Sequence, residues 1–295
     1  MYIQSSVAMD HSPTKSARSR GCAPAPSNML AICRRWPHDL PMASTEEQHL
    51  SRVRLDVLVS DRGLAASRAR ARDAIMRGHV KVDGQTVTKP SLNVPPESEI
   101  TLDDPAADYV SRAGLKLEAA LDQFAIPVEG RMAVDLGAST GGFTEALLRR
   151  GVAHVVSIDV GHGQMHPRIA ADPRVTAIEG LNARDLTRED IGGRAFDLLV
   201  ADVSFITLRL ALPPALELAE PGTTGVFLVK PQFEAGREAI AKNGLLRDPD
   251  SAPLVAEAVR DWLAAQPDWQ VKGLAPSPIP GGDGNHEFLL IAEKS

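Results

Sequence analysis

The stretch Met132-Ala133-Val134-Asp135-Leu136-Gly137-Ala138-Ser139-Thr140-Gly141-Gly142-Phe143 decides the fold. An apolar run meets an acid and then a turn of small residues that opens a helix. This is the form of a strand in a parallel sheet feeding a ligand-binding turn, where glycines let the backbone approach a ligand that side chains would exclude. A dinucleotide turn requires G-x-G-x-x-G, its middle glycine leaving room for a pyrophosphate. Here Ser139 holds that position and Asp135 precedes the turn, where its charge would repel phosphates. The pattern suits a cofactor with no phosphates and a cationic centre, which points to S-adenosyl-L-methionine. Asp135, Gly137, Ser139, Gly141, Gly142 and Phe143 are the expected cofactor-binding residues of the turn.

The runs at 155–159, 175–178, 196–202 and 225–230 alternate with helical segments such as 207–219. That alternation predicts a parallel sheet covered on both faces. The runs at 269–274 and 287–292 follow one another without a helix and are expected to pair antiparallel at one edge. The expectation is an α/β, Rossmann-like domain with a mostly parallel seven-stranded sheet over residues 115–295. Asp159 ends the second strand 24 residues after Asp135, about where an acid grips ribose hydroxyls in such folds. Asn182, after the third strand, is a candidate for the adenine edge.

Ahead of this domain the charge balance changes. The chain carries a net charge of -6, yet residues 51–92 hold nine Lys/Arg against four Asp/Glu. A basic module joined to an acidic one suggests a polyanion as partner of the first. Leu55, Leu58 and Val59, with Val53, form one apolar face; Ser67 caps a second helix bearing Arg68, Arg70 and Arg72; Gly78 stops it. Asp83-Gly84 between alternating apolar residues is a hairpin signal. Residues 51–102 therefore read as a small α+β module, and 103–114 as a linker running into a helix that includes Lys116. Residues 1–50 mix Ser, Pro, Arg and Ala without periodicity and read as a disordered extension. A start at Met42 is expected to suffice, so that deleting the first 41 residues leaves stability and activity nearly unchanged.

Lys230 is one of eight lysines, and it ends the apolar run Gly225-Val226-Phe227-Leu228-Val229. Asp202 ends another. Ligands in open parallel sheets bind outside the carboxyl ends of strands, so both side chains should enter one crevice, with Lys116 and Glu287 able to join them. Cys22 and Cys33 lack partners at metal-ligand or disulfide-framework spacing. The pair His162 and His166 lacks a third ligand, so no metal site is expected. No apolar run approaches the roughly 20 residues of a membrane span. A cytoplasmic monomer is the expected state.

Two resemblances sharpen this reading. Arg54-Leu55-Asp56, Ser67-Arg68, Ala74-Ile75, Gly78-His79-Val80 and Val82-Asp83-Gly84 resemble the S4-like RNA-binding domain, named after a small-subunit ribosomal protein. That resemblance implies RNA contacts from Arg54, Arg68, Arg70, Arg72, Arg77 and Lys81, with Arg112 on the entry helix. Lys116, Asp202, Lys230 and Glu287 reproduce in order the Lys-Asp-Lys-Glu tetrad of the FtsJ-like RNA ribose 2'-O-methyltransferases. Ser111-Arg112-Ala113-Gly114-Leu115-Lys116-Leu117, Ala201-Asp202-Val203-Ser204-Phe205 and Val229-Lys230-Pro231-Gln232-Phe233-Glu234 resemble its two-domain branch, the TlyA or hemolysin A family, over residues 52–293. The resemblance implies S-adenosyl-L-methionine-dependent methylation of cytidine riboses in ribosomal RNA of both subunits. Lys230 is then expected to deprotonate or to steer the ribose hydroxyl. Packing against Lys116 would favour its neutral form, while Asp202 and Glu287 would oppose that shift. Rival readings are a cytolysin, an RNA-binding protein with a decayed enzyme fold, and a methyltransferase for DNA or small molecules. The first lacks a membrane segment, the second would have lost a tetrad member, and the third has no need of the lysine pair.

Overall fold

The computed structural model describes residues 52–281 and 284–295, so the expected N-terminal extension and the start at Met42 lie outside the described residues. The front domain contains β1 (Val53–Arg54), α1 (Leu55–Asp61), α2 (Arg68–Met76), β2 (Val80–Val82), β3 (Gln85–Val87), β4 (Asn93–Val94) and β5 (Ile100–Leu102). β1 pairs antiparallel with β4, and β3, β2 and β5 form an antiparallel sheet in that order. Val53 therefore belongs to a short strand and not to the face of α1, which the periodicity implies. Ser67 Oγ accepts the Arg70 N–H at 3.3 Å and caps α2. Asp83 and Gly84 sit at φ +49° and +77°, the paired left-handed geometry of a two-residue hairpin turn. Leu55, Val59, Ile75 and Val80 are fully buried and form the core of this domain.

Residues 103–112 lead into α3 (Ala113–Gln123). This helix starts inside the expected linker, and residues 109–112 are not helical. β6 (Met132–Leu136), α4 (Gly142–Arg149), β7 (His154–Asp159), α5 (Pro167–Ala170), β8 (Val175–Glu179), β9 (Leu198–Ala201), α6 (Leu208–Ala211), α7 (Pro213–Leu218), β10 (Thr224–Val229), α8 (Pro231–Glu234), α9 (Ala252–Ala264), β11 (Trp269–Pro276) and β12 (Phe288–Lys294) follow. The seven strands run in the order β11-β12-β10-β9-β6-β7-β8. β12 pairs antiparallel with both β10 and β11, and the other neighbours are parallel.

Alternate residues of the central strands enter opposite cores. Ala133, Val155, Leu198 and Val226 face α3 and α4, while Val134, Leu199 and Phe227 face α6, α7 and α9. Burial on both faces explains why these strands read as unbroken apolar runs. From β6 the chain proceeds outward to β7 and β8, then returns to β9 on the other side. Strand order thus reverses between β6 and β9, and their carboxyl ends open a crevice there.

Candidate active site

Gly137 follows β6 at φ +80°, and a Cβ built on it would meet the Asp202 carbonyl oxygen at 2.7 Å. Only glycine permits this approach of two strand ends. Ser139 and Gly141 are also left-handed, at φ +46° and +92°. The turn they form roofs a cavity of about 140 Å³ lined by Gly137, Ser139, Gly142, Phe143, Asp202 and Lys230, with Ser111, Ala113, Ala138, Thr140 and Ser204.

Strand register gathers three of the four tetrad residues. Phe227 lies opposite Ala201 across β9 and β10, and Val229 opposite Phe288 across β10 and β12. Asp202, Lys230 and Glu287 are the next residues at those strand ends, so three adjacent strands deliver them to one edge. Lys116 arrives from α3, one turn after Ala113, which lines the cavity. The tetrad forms two ion pairs. Lys116 pairs with Glu287, both buried, and Lys230 Nζ lies 2.7 Å from Asp202 Oδ1 and donates to Ser204 Oγ at 2.7 Å. The Lys230–Asp202 contact is ionic and lies off the line of a hydrogen bond. Each lysine has its own carboxylate. A buried ion pair such as Lys116–Glu287 is seldom a net source of stability, because desolvation offsets the Coulombic gain.

The other cofactor candidates are placed differently. Asp135 is fully buried beneath the turn and does not line the cavity. Its Oδ2 accepts the Thr144 hydroxyl at 2.6 Å, and among the described residues its Oδ1 has no hydrogen-bond partner. Burial pushes its carboxyl up to about 7; the Thr144 hydrogen bond opposes the rise and the nearby Asp202 charge adds to it. Asp159 accepts the Ser139 N–H at 2.8 Å and the Gly161 N–H at 2.7 Å, so both its oxygens hold loop backbone. Asn182 caps a short helical turn by accepting the Arg184 N–H at 3.3 Å. Neither residue lines the cavity. Among the described residues no His/Cys/Asp/Glu cluster is arranged to hold a metal; His166 instead caps α5 through the Arg168 N–H.

The cavity fits the sulfonium cofactor in its donor set: backbone approach from the turn, hydroxyls of Ser111, Ser139 and Thr140, and the Asp202 carboxylate. It would reject a pyrophosphate by charge on that side.

The basic candidates divide into two groups. Arg54 and Arg68 share the buried carboxylate of Asp56 with their guanidinium groups largely exposed. With the exposed Arg72 they line a concavity of about 480 Å³. Lys81 projects from the middle of β2. By contrast Arg70, Arg77 and Arg112 are committed to protein acceptors. Arg77 holds Asp104 at 2.7 Å and Asp73 at 3.2 Å, and Arg112 also pairs with Asp73. Arg70 donates to the carbonyl oxygens of Ala106, Ala107, Tyr109 and Val110.

Ser111, Thr140 and Ser204 lie within the sequence motifs but are not singled out by them, since a hydroxyl residue gives no spacing signal. Phe205 is a further residue that the sequence does not reveal. It is 92% exposed, sits at φ +64°, and its ring centroid lies 5.1 Å from that of Phe233. An exposed ring on left-handed backbone costs free energy twice, through strain and through hydration.

The family model of the FtsJ-like methyltransferases matches residues 109–294, and that of the S4 domain matches residues 53–100. The 16S/23S rRNA (cytidine-2'-O)-methyltransferase TlyA of Mycobacterium tuberculosis is 45% identical over 242 residues, which cover 81% of this chain and 89% of that protein. Hemolysin A of Brachyspira hyodysenteriae is 37% identical over 239 residues, 80% of this chain and 98% of that one. A solved structure from Streptococcus thermophilus that carries the hemolysin name superposes with a TM-score of 0.64 at 40% identity, covering 83% of this chain and 90% of that chain. Among the described residues no helix is long and apolar enough to cross a membrane. The chain belongs to the FtsJ-like methyltransferase family, in the branch of TlyA and hemolysin A that carries an S4 domain ahead of the methyltransferase fold.

Proposed function

We propose that the protein transfers the methyl group of S-adenosyl-L-methionine to the ribose 2'-hydroxyl of cytidine in ribosomal RNA. The observation that carries this reading is that Asp202 and Lys230, from neighbouring strand ends, line the glycine-turn cavity, while Glu287 comes from the adjacent strand end and pairs with Lys116. Relatives named as rRNA cytidine-2'-O-methyltransferases, from Mycobacterium tuberculosis and Campylobacter jejuni, support the substrate.

The cofactor supplies an electrophilic methyl group on a sulfonium. Gly137, Ser139, Gly142 and Phe143 form its cradle, and Asp202 offers the carboxylate. Attack by the ribose oxygen forms an O–C bond as the S–C bond breaks, and the hydroxyl proton must leave. Lys230 is the group at the cavity that reaches that hydroxyl; Asp202 and Ser204 fix its amine. Lys116 and Glu287, buried side by side, set the local charge behind it. Phe205 and Phe233 offer the target base an aromatic face, as single-stranded bases commonly require. Arg54, Arg68, Arg72 and Lys81 hold phosphates of structured RNA on the front domain, which positions without reading sequence.

The test is methyl transfer to ribosomal subunits lacking the modification, with ribose methylation mapped by nucleotide. Lys230→Ala is expected to lose at least about a hundredfold in rate, the range of general acid–base contributions, while still binding S-adenosylhomocysteine. Methyl incorporation into a base, or a Lys230→Ala rate near wild type, overturns the assignment.

A further inference from the structure

α8 is a single helical turn that begins right after Lys230, and residues 230–234 meet residues 204–208 in three places. Lys230 Nζ donates to Ser204 Oγ at 2.7 Å, the Phe233 ring stands 5.1 Å from that of Phe205, and Glu234 Oε1 accepts the Leu208 N–H at 2.7 Å. The first two contacts involve groups the proposed reaction uses. The third does not.

Glu234 is an unusual choice for a helix cap. Thr207 occupies the N-cap of α6 and makes no side-chain bond there, although threonine commonly serves that position locally. The N–H of the first helical residue, which an N-cap hydroxyl does not serve, is taken by a carboxylate from another segment. That carboxylate is largely buried, its second oxygen has no hydrogen-bond partner among the described residues, and burial pushes its acid above the usual range. A buried acid satisfied on one oxygen alone is an expensive way to end a four-residue helix. What it achieves that Thr207 cannot is a tie between the loop after β9 and the turn after β10. Between the tied points lies Phe205, held left-handed and almost fully exposed. Such a conformation persists only where its surroundings over-determine it.

We propose that Glu234 is a positioning residue: by holding Leu208 against the turn that starts at Lys230, it fixes Ser204 and Phe205 relative to the Lys230 amine and so sets where the target nucleotide is presented. This rests on the ribose-methylation reading above. Glu234 touches neither substrate nor cofactor; its action passes through the loop.

The experiment uses the full chain and measures single-turnover methylation of unmodified ribosomal RNA, S-adenosylhomocysteine affinity by calorimetry, and thermal melting. Glu234→Asp, too short to reach Leu208, and Glu234→Ala are each expected to lose about tenfold in rate while cofactor-product affinity stays within about twofold. Glu234→Gln keeps an acceptor oxygen at the same reach and is expected to retain the rate within about threefold. Phe205→Ala is expected to lose rate, and the double variant Phe205→Ala with Glu234→Asp to lose no more than Phe205→Ala alone, the non-additivity of residues acting as a unit. Additive losses, a parallel fall in cofactor-product affinity, or wild-type rates in Glu234→Asp overturn the positioning role. Wild-type transfer with an unaffected Glu234→Asp sinks this inference alone; a wild-type protein that methylates no RNA sinks the functional reading and this inference with it.

Discussion

Arg70 Nη2 lies 2.7 Å from the carbonyl oxygen of Tyr109, so a residue of the S4 domain grips the segment that enters the methyltransferase core. The same guanidinium reaches Ala106 at 2.7 Å and Ala107 and Val110 at 3.2 Å. On the far side of that segment the buried Glu145 accepts the Val110 N–H at 2.6 Å and pairs with Arg149 and Arg168. Ser111, the next residue, lines the glycine-turn cavity.

Arg70→Ala is therefore expected to destabilise the protein by about 2 kcal/mol, the scale of hydrogen bonds from a charged donor. Arg70→Lys should not restore it, because a compact ammonium cannot serve four carbonyls spread along a turn. RNA affinity measured against salt separates this role from phosphate binding. Arg72→Ala should lower the salt slope by about one, whereas Arg70→Ala should leave the slope unchanged and lower the melting temperature. A reduced slope in Arg70→Ala with unaltered melting would return Arg70 to the RNA-facing set.

The contrast between Arg70 and its neighbours shows what the sequence could and could not reveal. Arg68 and Arg72 are four residues apart and share a face of α2, whereas Arg70 points elsewhere. Periodicity separates those faces, yet it does not say which one packs against the linker, since that depends on the placement of residues 106–110. Strands were legible because burial on both sides demands apolar runs, and Asp202 and Lys230 were legible because each ends such a run. The pairing of Lys116 with Glu287 was not, because 171 residues separate them and only the β10–β12 register brings Glu287 to that edge. Asp159 is at its expected strand end, but the loop that returns to meet its oxygens has no signature in spacing.

Gly137→Ala tests the close approach of the turn to the end of β9. The added methyl would meet the Asp202 carbonyl oxygen at 2.7 Å, and the backbone at φ +80° is already unfavourable to alanine. Gly130 has a similar φ of +75°, and an added methyl there would have nothing within 4 Å, which makes it a control for the backbone penalty alone. Gly130→Ala should cost about 1–2 kcal/mol, the left-handed penalty. Gly137→Ala should cost more and should also weaken S-adenosylhomocysteine binding at least tenfold, because relief of the clash must displace the cavity roof or Asp202. Equal stabilities with unchanged binding in calorimetry would show that the two strand ends separate freely.

Asp135 yields a stability signature in pH. Its carboxyl titrates near 7 when folded, raised first by burial, while an unfolded aspartate titrates near 3.8. For an acid whose folded value is raised, the proton favours the folded state. Its contribution is therefore fully present below the unfolded value, declines as pH climbs from about 4 towards 7, and is flat beyond. The slope is at most about 1.4 kcal/mol per pH unit. Asp135→Asn has similar shape, keeps an acceptor for the Thr144 hydroxyl and cannot ionise. Urea titrations between pH 4.5 and 8 should show wild type losing ground to Asp135→Asn up to about pH 7 and then holding a constant difference. A difference that does not change with pH would mean that Asp135 is ionised throughout, and that a donor reaches the oxygen Oδ1, which has no hydrogen-bond partner among the described residues.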